Sequence, residues 1–254
     1  MSVTRARPLL VDPHRSGNDC AHCGARAHSV CNAIDARDLD RLAAVAVQLS
    51  VEPGRSFIDE GDPAESFFNV TAGTAKLFKL LPDGRRQITG FAGPGHFLGL
   101  AVSASYSFSA EAVELMRICR FSRTKLRTLL DDFPAMEKRL LEVASNELVA
   151  AQEQMLLLGR KTARERLASF LIARSEMPVH CLGHKPGSAE TVLLPMTRSD
   201  IADYLGLTIE TVSRTLTKLK GEGLIEIPST ETIIIRRHVA LDGIATGVDS
   251  GGTR

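Results

Sequence analysis

The sequence predicts an α+β protein in which a strand-rich half is followed by one long helix and then by a helix-rich half. Three observations support this class: short apolar runs broken by turn residues, one stretch of strong helix formers, and a closing group of short helices and strands. The 254 residues, 44% hydrophobic and 24% charged, suit a globular protein of more than one domain. The predicted divisions are 1–32, 33–132, 133–160 and 161–254.

The first segment, 1–32, lacks periodicity and holds three of the five cysteines. Cys20 and Cys23 are separated by two residues, Cys31 follows after seven more, and Cys119 lies in a predicted strand. Two cysteines separated by two residues can occupy adjacent corners of one metal site, and four thiolates complete either a zinc site or an iron–sulfur cluster. The spacing alone leaves both open.

The fifth cysteine, Cys181, lies in a predicted loop between His180 and His184. A surface thiol is the expected state of Cys181, with a second metal site as the alternative. A disulfide framework is not expected in a cytosolic chain.

The region 33–132 is rich in Gly and Pro, which separate short apolar runs. Regularly spaced short strands with turn residues between them are typical of an antiparallel roll or sandwich. We therefore expect a jelly-roll-like β-roll, with strands at Ser66–Val70, Ala75–Phe78, Gln87–Phe91 and Val113–Phe121.

The long helix is predicted over 133–160, where apolar residues recur at spacings of three and four. Such a row is the a/d seam of a coiled coil and favours a homodimer interface. A long helix that packs only on its own domain is the alternative. The seam consists of Leu141, Ala144, Leu148, Ala151, Met155 and Leu158.

A helix-turn-helix is predicted from Met196 to Leu216. Thr197 followed by Asp200 is a variant of the capping box, and Thr208 can cap the second helix. Between the two helices, Gly206 supplies the left-handed backbone of the turn. A hairpin predicted from Leu224 to Arg236 follows, which makes the element a winged helix-turn-helix.

The second helix of this element carries the candidate base-reading residues Glu210, Ser213 and Arg214. A carboxylate can accept from cytosine N4, and a guanidinium can bridge guanine O6 and N7, so the pair suits double-stranded DNA. An exposed salt bridge within the helix is the alternative for Glu210 and Arg214. The candidate phosphate-binding residues lie near helix N-termini; they are Thr197, Arg198, Thr208 and Thr211.

The order of β-roll, long helix and winged helix-turn-helix resembles the CRP/FNR superfamily of transcription regulators over nearly the whole chain. Leu156–Leu167 and Met196–Arg214 are similar to the FNR/FixK branch. In that branch a Glu-x-x-Ser-Arg triplet recognises TTGAT half-sites, and here Glu210, Ser213 and Arg214 match it. The resemblance implies a dimer on a TTGAT-N4-ATCAA-like palindrome.

The same resemblance favours an iron–sulfur cluster over zinc. The Cys-x2-Cys-x7-Cys spacing is similar to that of the alphaproteobacterial FnrN/FnrL oxygen sensors, in which three N-terminal cysteines and a distant one bind an oxygen-labile [4Fe–4S] cluster. Cys20, Cys23, Cys31 and Cys119 match these ligands. The neighbouring Arg26, His22 and His28 could offset the negative charge of the cluster, although a solvated surface is the more ordinary role for them.

Cyclic AMP, the other ligand of the superfamily, is not expected here. Members that bind it place a Glu after a Phe-x-Gly segment and an Arg-Ser or Arg-Thr pair on the phosphate. In this chain Leu100 follows Phe97-Leu98-Gly99, and Phe108-Ser109 stands where the pair would be. A buried phosphate without its arginine is unfavourable.

The resemblance also implies an activator that contacts RNA polymerase. Leu81 to Arg86 is a candidate contact, which a solvated hairpin explains equally well. Some members carry a carboxylate in the dimer seam; Ala151 stands there in this chain, so we expect the dimer to persist without the cluster.

Composition limits the remaining classes. The formal net charge of +1 gives no global basic field, so DNA binding requires a local patch. The uncharged stretch from Ile88 to Ala110 is interrupted by glycines, and the N-terminus lacks an apolar segment of signal-peptide length, so we expect a soluble cytoplasmic protein without a membrane partner. No catalytic motif is visible, so an enzyme is not expected.

Overall fold

The computed structural model describes residues 10–11, 20–100, 104–176 and 191–248. The chain forms two compact units. The first unit consists of the chain up to Leu77 together with Phe91–Ser145. The second unit consists of Phe78–Gly90 together with the chain from Asn146 onward. Within the described residues, no helix is long and apolar enough to span a membrane. Cys181 and its two histidine neighbours lie outside the described residues.

The strand-rich half is an antiparallel roll, as the turn spacing predicts. In the described part of the chain its strands form a five-stranded sheet, in the order β1-β2-β9-β4-β7, and a four-stranded sheet, in the order β3-β8-β5-β6. The strands are β1 (Leu10–Val11), β2 (Ala46–Val51), β3 (Ser56–Ile58), β4 (Ser66–Ala72), β5 (Ala75–Leu80), β6 (Arg86–Ala92), β7 (Phe97–Leu98), β8 (Ser109–Ala112) and β9 (Met116–Ser122).

Alternate residues of β9 serve two different cores, because successive side chains of a strand point to opposite faces. Met116 and Ile118 enter the core between the sheets, together with Phe68 and Val70 from β4. Cys119 and Phe121 face a second core on the outer side of the five-stranded sheet. Both faces of this strand therefore contribute to a core, while Arg117 and Arg120 are exposed.

The second core is closed by helices that the strand pattern of 33–132 did not predict. They are α1 (Leu39–Val45) and α2 (Arg123–Asp132), preceded by 3-10 turns at Arg26–His28, Val30–Ala33 and Ala36–Asp38. Leu126 and Leu129 of α2 are buried at helical spacing. The long helix α3 (Pro134–Arg160) begins in the same core, where Met136 and Leu140 pack with Cys31 and Cys119.

The helix-rich half contains the predicted winged helix-turn-helix. Its elements are α4 (Ala163–Ser175), β10 (Thr191–Leu193), α5 (Arg198–Leu205), α6 (Ile209–Gly221), β11 (Ile225–Glu226), β12 (Thr232–Ile235) and α7 (His238–Thr246). The three strands form one sheet in the order β10-β12-β11. Thr162 caps α4 in a capping box with Glu165. The last helix, α7, was not predicted; it packs on α4, and its Leu241 and Ile244 are buried.

Candidate functional site

The first helix of the helix-turn-helix, α5, begins at a capping box. The hydroxyl of Thr197 accepts from the backbone amide of Asp200 at 3.1 Å, and the Asp200 carboxylate accepts from the Thr197 amide at 3.1 Å. These reciprocal bonds satisfy two amides that a helix start leaves without partners. Asp200 itself is buried. The predicted cap is therefore present and fixes where α5 starts.

The turn between the helices requires glycine at Gly206, which has φ +61°. A Cβ there would lie 3.2 Å from Leu158 at the end of α3, so a larger residue would also crowd that helix. Thr208 then caps α6 by accepting from the Thr211 amide at 3.2 Å. The two helices are held at a fixed angle by a shared apolar core of Ile201, Leu205, Val212, Leu216 and Leu219.

The exposed face of α6 carries the predicted base-reading residues Glu210, Ser213 and Arg214. Arg214 Nε donates to the backbone carbonyl of Glu210 at 3.3 Å. The pKa of the Glu210 carboxyl is lowered by a bond from its own backbone amide and then by the Thr208 hydroxyl, with a smaller effect from Arg214. Glu210 therefore stays ionised near neutral pH, and both side chains are accessible to a ligand.

The predicted phosphate-binding residues lie around the starts of α5 and α6. Thr197 and Thr208 are the exposed caps, and Thr211 is half-buried beside Thr208. Arg198 is half-buried, and its Nη1 is buried without a hydrogen-bond partner. Burial lowers the pKa of this guanidinium, which remains charged because its ordinary pKa lies so far above neutrality. A phosphate oxygen is a suitable partner for a cation in this state.

One arginine that the sequence analysis did not identify joins three segments of this unit. Arg166 donates to the backbone carbonyls of Leu158 at 2.8 Å, Lys161 at 2.9 Å and Leu205 at 2.8 Å. Leu158 and Leu205 belong to the last turns of α3 and α5, whose carbonyls lack helical partners. The planar guanidinium thus orients the helix-turn-helix on the end of the long helix.

A second unanticipated contact ties the hairpin of β5 and β6 to α5. Arg86 forms ion pairs with Asp200 at 2.9 Å and Asp203 at 2.8 Å. Gln87 donates to the carbonyl of Asp203 at 2.7 Å. The side chains of Asp200 and Arg86 are only 5% and 24% exposed. Arg86 is thus engaged with α5 at the base of the hairpin, whereas the tip from Leu81 to Arg85 is exposed.

The predicted dimer seam is exposed along most of α3. Leu141, Leu148 and Met155 are 66%, 61% and 65% exposed, and Ala144 and Ala151 are exposed as well. Leu158 differs, because it is half-buried near Gly206. Large apolar side chains in a row at this exposure are typical of a surface that is covered in the assembled protein.

The four cysteines of the predicted metal site line one cavity in the first unit. Cys20 and Cys23 come from the turn after residue 19, Cys31 from the 3-10 turn Val30–Ala33, and Cys119 from the centre of β9. None of the four forms a disulfide. The cavity wall is completed by Arg26, Leu42, Ala46, Gln48, Asn69, Thr71 and Phe121. The structure thus brings together all four thiols that the sequence analysis selected.

The pKa of Cys31 reflects this crowding. Burial raises the pKa of the thiol to about 12; the Ser29 hydroxyl and Arg26 oppose the rise, whereas Cys20 and Cys23 add to it. A thiolate is therefore strongly disfavoured here unless a cation compensates its charge. Two other predicted neighbours, His22 and His28, are exposed.

The donor set fits a sulfur-ligated metal group. Four thiols, one arginine and several hydrogen-bonding side chains converge on the cavity, and two buried polar atoms in its wall, Arg26 Nε and Asn69 Oδ1, have no hydrogen-bond partner. Among the described residues, no group of three or more His, Cys, Asp and Glu side chains is arranged to hold a single metal ion.

The residues considered for cyclic AMP lie in and around the roll. Phe97 and Leu98 are buried in β7, and Leu100 is 38% exposed. Ser109 is buried, and its hydroxyl accepts from the Glu60 amide at 3.0 Å. The absence of cyclic AMP binding stays a prediction from the missing arginine.

The helix-turn-helix of α5 and α6, the strands that follow it and the N-terminal β-roll together indicate a class of protein: DNA-binding transcription regulators with an N-terminal β-roll domain. Two family models match the chain accordingly, the Crp-like helix-turn-helix domain over residues 165–244 and the cyclic nucleotide-binding domain over residues 48–133. The chain belongs to the CRP/FNR family of transcription regulators.

Individual relatives indicate which members of the family the chain resembles. The chain is 42% identical over 221 residues to the nitrogen fixation regulation protein FixK of Bradyrhizobium diazoefficiens, covering 87% of this chain and 92% of FixK. It is 35% identical to the transcriptional activator protein FnrL of Cereibacter sphaeroides, covering 92% of each chain. The solved structure of FixK2 from Bradyrhizobium japonicum superposes with a TM-score of 0.72 at 34% identity, covering 82% of this chain and 100% of that one. These relatives are regulators rather than enzymes, in agreement with the expected class.

Proposed function

We propose that this protein is an oxygen- or redox-responsive transcription activator of the cytoplasm, controlled by a [4Fe–4S] cluster and bound as a dimer to TTGAT-N4-ATCAA-like palindromes. The observation that carries the proposal is the convergence of Cys20, Cys23, Cys31 and Cys119 on one cavity beside the start of α3. A bound cluster would supply redox chemistry that oxygen can alter.

The four thiols are the candidate cluster ligands. Cys31 and Cys119 lie in the same core as Met136 and Leu140 of α3. Occupation of the cavity therefore bears on the packing of the first turns of the long helix. This shared core supports a route from the state of the ligand site to the helix that carries the dimer seam.

The DNA-reading half of the proposal is supported by the exposed face of α6. Glu210 and Arg214 are four residues apart and reach the same groove, where they suit a C·G pair, and Ser213 lies between them. Thr197, Arg198, Thr208 and Thr211 would hold phosphates, which fix register without reading sequence. The Arg198 nitrogen without a partner suits this role.

Dimerisation through α3 is supported by the exposed row of Leu141, Ala144, Leu148, Ala151 and Met155. A parallel partner helix would cover this row. The row holds no carboxylate, so the dimer should persist without the cluster. Sedimentation of the apo-protein tests this, and a monomer at micromolar concentration would refute it.

Activation is the part taken from FnrL, whose name describes a transcriptional activator. Contact with RNA polymerase is the part that the family resemblance implies. The exposed tip of the β5–β6 hairpin, with Leu81 43% exposed and the pair Asp83–Arg85 in solvent, is the candidate surface. Arg86 at its base would hold the tip in place through Asp203.

The first test is purification without air, with measurement of visible absorbance, iron, acid-labile sulfide and zinc. A brown protein with iron and sulfide, whose bleaching in air parallels a change in affinity for the palindrome, supports the proposal. A colourless protein with stoichiometric zinc and air-insensitive binding would replace it with a CRP/FNR-type regulator that has structural zinc and a different, non-cyclic-AMP signal.

A further inference from the structure

Arg26 lies between two of the candidate ligands and faces the thiol cavity. It follows Cys23 by three residues and precedes Cys31 by five. Its Nη2 donates to the backbone carbonyl of Ile34 at 2.6 Å, which anchors the side chain across the turn. Its Nε is buried and has no hydrogen-bond partner. One N–H donor of the guanidinium is thus left for another acceptor.

Asn69 is the second wall residue with an unsatisfied polar atom. The strand register places Asn69 of β4 and Gln48 of β2 directly opposite Cys119, one on each side. Residues directly opposite in a sheet point to the same face. Asn69 is 2% exposed, and its Oδ1 is buried without a partner. The oxygen and nitrogen of an amide are interchangeable in shape, so its NH2 group can occupy that position.

Buried polar atoms without partners are rare, because they lose their bonds to water and gain none. Arg26 Nε lacks an acceptor in this cavity wall, and Asn69 presents a second donor there once its amide is turned so that the NH2 group takes the place of Oδ1. Together they indicate that a bound group supplies the missing acceptors. Thiolate and sulfide sulfurs bound to iron are acceptors of this kind.

We infer that Arg26, through Nε, and Asn69, through its side-chain amide, donate hydrogen bonds to the sulfur atoms of the metal group held by the four cysteines. Both act as positioning residues that stabilise the group. This inference rests on the proposed function and deepens it, because it assigns residues that control how fast air destroys the bound cluster.

The direction of the effect follows from charge. Four thiolates give the loaded site a net negative charge, which the guanidinium offsets. Hydrogen bonds to sulfur and a nearby positive charge both favour the more electron-rich state of a cluster, so removing them makes it easier to oxidise. Variants that lose these donors should therefore lose the cluster faster in air.

The test uses the full-length protein purified without air, with R26Q, R26K and N69L compared against R37Q. Arg37 belongs to the same segment, but its side chain is 83% exposed, so R37Q makes the same charge change outside the cavity. R26K keeps the positive charge but lacks Nε. The readouts are iron and sulfide content before exposure, the rate of loss of visible absorbance in air, and the iron–sulfur stretching bands in resonance Raman spectra.

We expect R26Q, which loses both the charge and the donor, to bleach at least fivefold faster than the wild type. R26K and N69L, which lose only a donor, should bleach about twofold faster, and R37Q at the wild-type rate. The stretching bands should shift in R26Q, R26K and N69L only. R26K with the wild-type rate and bands would overturn the assignment of Nε, and unchanged N69L would overturn that of Asn69.

Two further measurements distinguish a failure of this inference from a folding defect and from a failure of the proposed function. Thermal melting of the apo-proteins identifies a variant that merely unfolds, in which case R26K, which keeps the charge near the Ile34 carbonyl, and N69L carry the test. A wild type without iron and sulfide refutes the proposed function itself, whereas a loaded wild type with indistinguishable variants refutes only the inference.

Discussion

The DNA-reading element and the cysteine cavity are built in opposite ways. The first is continuous in sequence: the caps, the turn glycine and the candidate base-reading residues all lie between Thr197 and Arg214. The second joins a turn near the N-terminus to the centre of β9, which enters the sheet far along the chain. In a local element, the loss of one contact leaves the other contacts in place. A site assembled from distant segments depends on every one of the residues that form it. The two regions should therefore respond differently to single substitutions.

The largest expected effect is at the cavity. Replacing Cys119 with Ser, which is nearly the same size, should reduce iron from about four atoms per chain to almost none, because a serine hydroxyl is a much weaker iron ligand than the thiolate it replaces. Iron and sulfide analysis of anaerobic protein measures this. C181S is the control, since Cys181 is the fifth cysteine outside the proposed ligand set. Full iron content in C119S would mean that the site is not the one assembled here.

At the local element we expect a graded loss. R214A should weaken binding to a TTGAT-N4-ATCAA duplex by about 100-fold, because a bidentate contact to guanine contributes about 1–3 kcal/mol per half-site. Fluorescence anisotropy at fixed salt measures the affinity. K218A, on the same exposed helix, should weaken all sequences evenly and lower the salt dependence. Equal losses of R214A on matched and mismatched duplexes would show that Arg214 does not read bases.

The long helix differs from both regions, because its predicted seam needs a second chain. L148D places a charge in the middle of the exposed row and should shift the dimer toward monomer, with operator binding about tenfold weaker or more. Analytical ultracentrifugation measures the assembly. N146D, on the opposite face of α3 by helical geometry, should remain dimeric. A dimeric L148D would assign the seam to another surface.

The smallest effect is expected at the hairpin. R86A leaves the buried Asp200 carboxylate without its cation, although Thr197 still donates to it. A loss of about 1–2 kcal/mol, or roughly 2–6 °C in the melting temperature, is expected. R85A removes an arginine that is 76% exposed from the same hairpin and should change stability by less than about 0.5 kcal/mol. Similar melting curves for both variants would mean that the Arg86 ion pairs are not stabilising.

The difference between local and distant contacts also explains which features could be predicted from the sequence. The caps at Thr197 and Thr208 and the left-handed Gly206 depend on neighbours within a few residues, so their residue types identify them. α2 was missed although Leu126 and Leu129 have helical spacing, because the helix lies within a region dominated by turn residues. The contacts of Arg86 with Asp203 and of Arg166 with Leu205 join distant segments, and no local pattern indicates them.

The cysteine site combines local and distant contacts, so it could be predicted only in part. Residue type and spacing selected the four thiols, and the resemblance to oxygen sensors supplied the pairing of Cys119 with the N-terminal group. The roles of Arg26 and Asn69 could not be predicted, because they depend on which buried atoms lack partners once the sheet has formed. For Asn69, the missing information was the strand register that sets it beside Cys119.

The shared core around Cys31 and Cys119 also bears on how such a sensor can change over evolutionary time. Both side chains pack with Met136 and Leu140, so they fill space as well as offer ligands. A descendant that abandoned the cysteines would leave gaps beneath the first turns of the long helix, and gaps in a core are destabilising. Under the proposed function, loss of the metal site should therefore be accompanied by bulkier apolar residues at these positions, and a protein engineered to respond to a different signal would need the same refilling.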